Sequence, residues 1–100
     1  MKTNAELVNI VYNDSSFRGE FKSFIKLRAT IVRANENKGD HYSPDELTYQ
    51  SEFIQKYRRG MTFIYSALFR ALSSAYKLND EETRLLILDV SDRYSQSASS

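Results

Sequence analysis

Apolar side chains recur along this chain at steps of three and four, in four stretches separated by polar clusters, which is the signature of amphipathic helices. The first stretch opens with Thr3 and Glu6, spaced so that hydroxyl and carboxylate can each satisfy a free backbone N–H of a helix start. Leu7, Val8, Ile10 and Val11 supply its apolar side. Asn13, Asp14, Ser15 and Ser16 compete with helical hydrogen bonds, which predicts an end near Tyr12. The second helix is predicted from Phe17 to about Asn35, with Phe17, Phe21, Phe24, Ile25, Ile31 and Val32 turned to a core. Asn35 to Tyr42, with Gly39 inside, reads as a loop.

Ser43-Pro44-Asp45-Glu46 is the sharpest local signal, with a capping hydroxyl, Pro at the first helical position and acids in the first turn. The third helix therefore starts at Pro44. Leu47, Ile54, Tyr57, Met61, Ile64, Leu68, Ala71, Ala75 and Leu78 mark its apolar stripe, as packing along antiparallel neighbours requires. About 50 Å of helix is long for so small a domain, so a bend, a break or a protruding end is expected, with Gly60 as the favoured place for it. Asn79-Asp80-Glu81-Glu82 starts a fourth helix, predicted to run to about Tyr94. Its Leu85-Leu86-Ile87-Leu88 run is apolar on too many sides for a surface helix, so it lies between other elements or keeps a side for a partner.

The predicted architecture is all-α, an antiparallel four-helix bundle with a long third helix for which a bend is left open. One domain spans residues 1–94, and 95–100, lacking an apolar anchor, form a flexible tail. With 41% apolar and 27% charged residues the composition is that of a globular protein. Zero Cys rules out disulfides and thiol chemistry and suits a reducing compartment. The polar start is not that of a secretory signal, and no apolar run approaches the roughly 18 residues of a membrane span, so a cytoplasmic address is expected. A net charge of +1 demands no polyanionic partner, and nucleic acid is not favoured.

Nothing in the chain has the spacing of a catalytic centre. His41 is the single imidazole and lies in a polar loop, where a base or metal ligand would need rigid partners. There is no E-x-x-H pair, serine elbow, S-x-x-K pair, Walker loop or G-x-G-x-x-G, so no enzyme, cofactor, metal or small-molecule substrate is expected. Two features point instead to binding. The second helix carries Arg18, Lys22, Lys26, Arg28 and Arg33 against Glu20 alone, and Lys56-Tyr57-Arg58-Arg59 adds a second cluster. Lys22, Lys26, Arg58 and Arg59 are the candidates for phosphate or membrane-surface contacts, against the plainer reading of a solvated charged face. Tyr49, Phe53, Tyr57, Phe63, Tyr65, Phe69 and Tyr76 exceed what one core stripe can hide. They either line an interface or mark a central helix buried on several sides.

Asn4-Ala5 with Val11-Tyr12-Asn13-Asp14 is similar to the first helix of the enterocin A type of immunity protein. Ala71-Leu72 through Glu81-Glu82 to Leu86 and Ser95-Gln96 resembles the pediocin type. On these scattered matches and the order of helices the chain resembles the family of immunity proteins that protect bacteria from pediocin-like (class IIa) bacteriocins. The chain departs from that pattern in ending soon after helix four and in the length of helix three. The resemblance implies a cytosolic four-helix bundle acting at the inner face of the membrane on the bacteriocin-bound mannose phosphotransferase permease. It also implies a recognition surface in the C-terminal half, for which Tyr65, Phe69, Tyr76, Leu86 and Tyr94 are the candidates. The alternative is a small phage- or plasmid-borne regulator or adaptor that binds a protein or nucleic acid through the basic face. A homodimer paired along helix three also stays open.

Overall fold

The computed structural model describes residues 2–36 and 44–99. Four helices account for nearly all of them, and among the described residues there is no strand: α1 (Asn4–Asn13), α2 (Ser15–Glu36), α3 (Pro44–Tyr76) and α4 (Asp80–Ser99). The expected all-α four-helix bundle is what forms. His41 and the Ser43 cap lie outside the described residues, as does the side chain of Tyr49.

The helix boundaries follow from local hydrogen bonds. Thr3 caps α1, its hydroxyl accepting the Glu6 N–H at 3.2 Å. A single residue, Asp14, separates α1 from α2, where a longer turn was expected. Its N–H closes α1 on the Val11 carbonyl at 3.1 Å, and its carboxylate accepts the Ser16 N–H at 2.9 Å. One side chain thus ends one helix and caps the next. At the other corner Lys77 takes a left-handed φ of 53°, and the Leu78 N–H reaches back to the Ser73 carbonyl at 3.1 Å. That is the Schellman closure of a helix end, usually built on Gly. Asn79 then forms a reciprocal box with Glu82: the Glu82 N–H donates to Asn79 Oδ1 at 2.8 Å and the Asn79 N–H to Glu82 Oε1 at 3.0 Å.

α2 and α3 form an antiparallel hairpin. The Phe24 ring lies 5.9 Å from Tyr65, and Leu27 lies beside Gly60, so positions rising along one helix fall along the other. α1 instead runs alongside α4 in the same direction, because Asn4 bonds Asp89, Asn9 bonds Arg93 and Tyr12 bonds Ser97. The core lies where all four meet, in Leu7 and Val11 of α1, Phe21 and Phe24 of α2, Leu68 and Leu72 of α3, and Leu86, Ile87, Val90 and Tyr94 of α4. Each large apolar side chain removed from water there contributes about 1.5–3 kcal/mol. Ten-residue α1 is too short to stand alone and depends on this burial.

The expectations for α3 and α4 meet the structure at three points. α3 does not break at Gly60: its 33 residues run unbroken through that position, and the molecule is 54 Å along its longest axis. A Cβ at Gly60 would sit 3.6 Å from Leu27 Cδ1, an ordinary contact, so the packing at this point does not require a Gly. α4, expected to end near Tyr94, runs to Ser99, and the hydroxyls of Tyr12 and Ser97 in this last part lie 2.7 Å apart. Along α3 the core takes Leu72 and leaves Ala71 and Ala75 exposed, because a straight 3.6-residue repeat drifts away from the stripe read through the alanines.

Candidate functional site

The C-terminal residues chosen from the sequence divide into two groups. Leu86 is 0% exposed and Tyr94 6%, so both are core and neither belongs to a contact surface. Within the apolar run of α4, Leu86 and Ile87 point inward while Leu85 and Leu88 stay exposed. Tyr94 is held from two sides: its ring stacks on Phe21 at 5.7 Å, and its hydroxyl donates to the Tyr12 carbonyl at 3.0 Å. Burial of a Tyr with its hydroxyl satisfied is ordinary core chemistry.

Tyr65, Phe69 and Tyr76 are half-buried, packed on the core by one edge. The rings of Tyr65 and Phe69 lie 6.1 Å apart and, with Ser66 and Arg70, line an open recess of about 470 Å³ on α3. Tyr76 sits at the other end of this half of α3. Its phenol is pushed above its usual value of 10.0, first by burial and then by the carboxylate of Asp14. It stays neutral and cannot serve as a base near neutral pH.

The four candidate cations do not form one patch. Lys22 joins Arg18, Tyr12, Asn13, Ile25, Tyr94 and Ser97 around a half-open recess of about 410 Å³ between α1, α2 and α4. Lys26 is exposed one turn further along the same side of α2. Arg58 and Arg59 line a different recess, of about 520 Å³, with Gln55, Thr62, Phe63 and Ser66. The sequence reading left Phe63 out of its contact set, yet at 75% it is the most exposed large hydrophobic side chain described. Its place on roughly the opposite side of the helix from Leu68 and Leu72 was the available signal.

Charge is segregated in a way the net value of +1 conceals. From Phe53 to Asn79 the chain holds Lys56, Arg58, Arg59, Arg70 and Lys77 and no acid, while α4 holds Asp80, Glu81, Glu82, Asp89 and Asp92 against Arg84 and Arg93. Among the described residues one ion pair forms, Arg28 to Asp92 at 3.7 Å, exposed and worth little in stability. No three His, Asp or Glu side chains among the described residues converge as a metal site would require, and no described helix is long and apolar enough to cross a membrane. Comparison with protein-family models, with curated proteins and with solved structures finds no match to this chain.

Proposed function

We propose that this protein acts by binding rather than catalysis, as an immunity protein that protects its host cell from a pediocin-like bacteriocin at the bacteriocin-bound mannose phosphotransferase permease. The observation that carries the reading is the half-exposed aromatic pair Tyr65 and Phe69 beside Arg70, in the half of the chain where the family resemblance places recognition. Aromatic rings and Arg are the side chains most often found at the centre of binding surfaces. With Leu86 and Tyr94 assigned to the core, the contact surface reduces to Tyr65, Phe69, Arg70 and the exposed side of Tyr76. On this reading the protein works in the cytoplasm at the inner face of the membrane.

The test is cytosolic expression in a strain sensitive to pediocin-like bacteriocins. Protection against one or a few bacteriocins, lost in Arg70→Glu with the helical circular dichroism spectrum intact, is the expected result. Arg70 is exposed, so folding and contact are separable there. No protection across a broad bacteriocin panel would reject immunity and favour the small regulatory or adaptor protein.

A further inference from the structure

We propose that the outward face of α3 docks on an anionic lipid bilayer, with Phe63 entering the headgroup boundary, Lys56 and Arg59 meeting lipid phosphates beside it and Arg58 reaching them from the edge of the recess it shares with Phe63. This goes beyond the immunity reading and does not rest on it, since the recognition needs only lipid.

Four observations converge on that face. Ile54, Leu68 and Leu72 are buried on the inner side of α3, whereas Lys56, Arg59, Phe63 and Arg70 are all exposed. Their steps of three, four and seven align them along one side of a continuous helix. Phe63 is 75% exposed, against 36–48% for the other exposed large hydrophobic side chains described. Lone exposed apolar residues are common, so exposure alone would carry nothing. Phe63, however, shares its recess with Arg58 and Arg59, neither of which forms an ion pair among the described residues. Glu52, four residues before Lys56 and exposed on the same side, is the acid that borders this face, and from Phe53 to Asn79 no further acid interrupts the cations. The acids of α4 lie on an element packed behind α3, against Leu68 and Leu72.

A row of cations around one apolar protrusion on a straight element fits a plane of negative charge with an apolar interior below it. Interfacial helices combine these features, the basic residues supplying attraction and the ring supplying burial. A single-stranded nucleic acid is a weaker fit, because it is gripped by successive stacking rings. The rings nearest Phe63 along this helix are instead half-buried against other rings, Tyr57 on Phe53 at 4.5 Å and Tyr65 on Phe24 at 5.9 Å. One ring and a few cations give reversible adsorption and not permanent anchoring.

The chain has no Trp, so Phe63→Trp places a single reporter in the proposed contact. Mixed with vesicles of about one third phosphatidylglycerol in phosphatidylcholine, this variant should show a blue-shifted emission that lipid-borne quenchers reach. Leu85→Trp, on α4, should show neither. In flotation, the unaltered protein should bind these vesicles, bind pure phosphatidylcholine far less, and release as salt rises above physiological strength. Phe63→Ser should weaken binding roughly tenfold, and Arg58→Glu with Arg59→Glu by more than roughly twentyfold. Lys2→Glu with Arg84→Glu changes net charge equally and should have a much smaller effect. Equal binding to neutral and anionic vesicles, an unshifted emission from the Phe63→Trp variant, equal effects of the two double reversals, or preferential binding to a single-stranded oligonucleotide would each overturn the proposal. Loss of vesicle binding in Phe63→Ser with protection intact would separate it from the immunity reading.

Discussion

The hydroxyl of Tyr94, near the end of α4, donates to the backbone carbonyl of Tyr12, in the last turn of α1, at 3.0 Å, and the two rings lie 4.7 Å apart. The bond satisfies a carbonyl that the end of α1 would otherwise leave free. Tyr94→Phe keeps the ring and should cost about 1 kcal/mol in urea unfolding. Tyr94→Ala removes the ring as well and should cost about 3–5 kcal/mol.

Leu86 and Phe69 should behave oppositely. Leu86→Ala empties a fully buried site and should destabilise by about 2–5 kcal/mol. Phe69→Ala alters a half-buried ring at the rim of the recess, and its loss of protection should exceed its loss of stability. Unfolding midpoints and protection assays on both variants would show the contrast, and equal losses of stability would return Phe69 to the core.

Gly60→Ala should stabilise the protein by about 0.5–1 kcal/mol, because the position is mid-helix and the new Cβ meets Leu27 at ordinary contact distance. A raised thermal midpoint is the expected readout. A fall would mean that α3 needs its freedom at this point.

Ser91→Ala should raise the thermal midpoint by the equivalent of about 1 kcal/mol. The Ser91 hydroxyl is buried without a protein partner among the described residues, so removing it leaves nothing unpaired.

Tyr76 should make the fold sensitive to alkali. Its pKa is raised in the folded protein, by burial and by Asp14, so the fold keeps a proton that the unfolded chain loses. The associated stability is fully present below the unfolded value near 10 and is lost as the pH rises through the folded value. Tyr76→Phe should flatten this loss, and Asp14→Asn should lessen it while keeping an oxygen for the Ser16 N–H. Unfolding curves above pH ~10 would read the difference.

The existence of the helices and the starts of α1 and α4 were legible because capping chemistry is local: Thr3 with Glu6 and Asn79 with Glu82 act within one turn. Which side of a helix meets which neighbour is not local. In Leu85-Leu86-Ile87-Leu88 every residue is apolar, so the pattern could not separate Leu86, which faces the core, from Leu85, which does not. Tyr94 carries a hydroxyl that reads as surface until its acceptor, the Tyr12 carbonyl, is brought to it from 82 positions away. Phe63 was lost among six other aromatic residues of α3, although its separation from the Leu68–Leu72 stripe marked it as outward.

The parallel seam between α1 and α4 imposes an order on folding in time. The residues that α1 bonds, Asp89, Arg93, Tyr94 and Ser97, are made more than eighty positions after it. On the ribosome the α2–α3 hairpin can pair while α1, too short to persist unaided, has no companion. The first helix of the chain is therefore among the last to settle, and until α4 emerges it is the part of the nascent protein most open to proteases and chaperones.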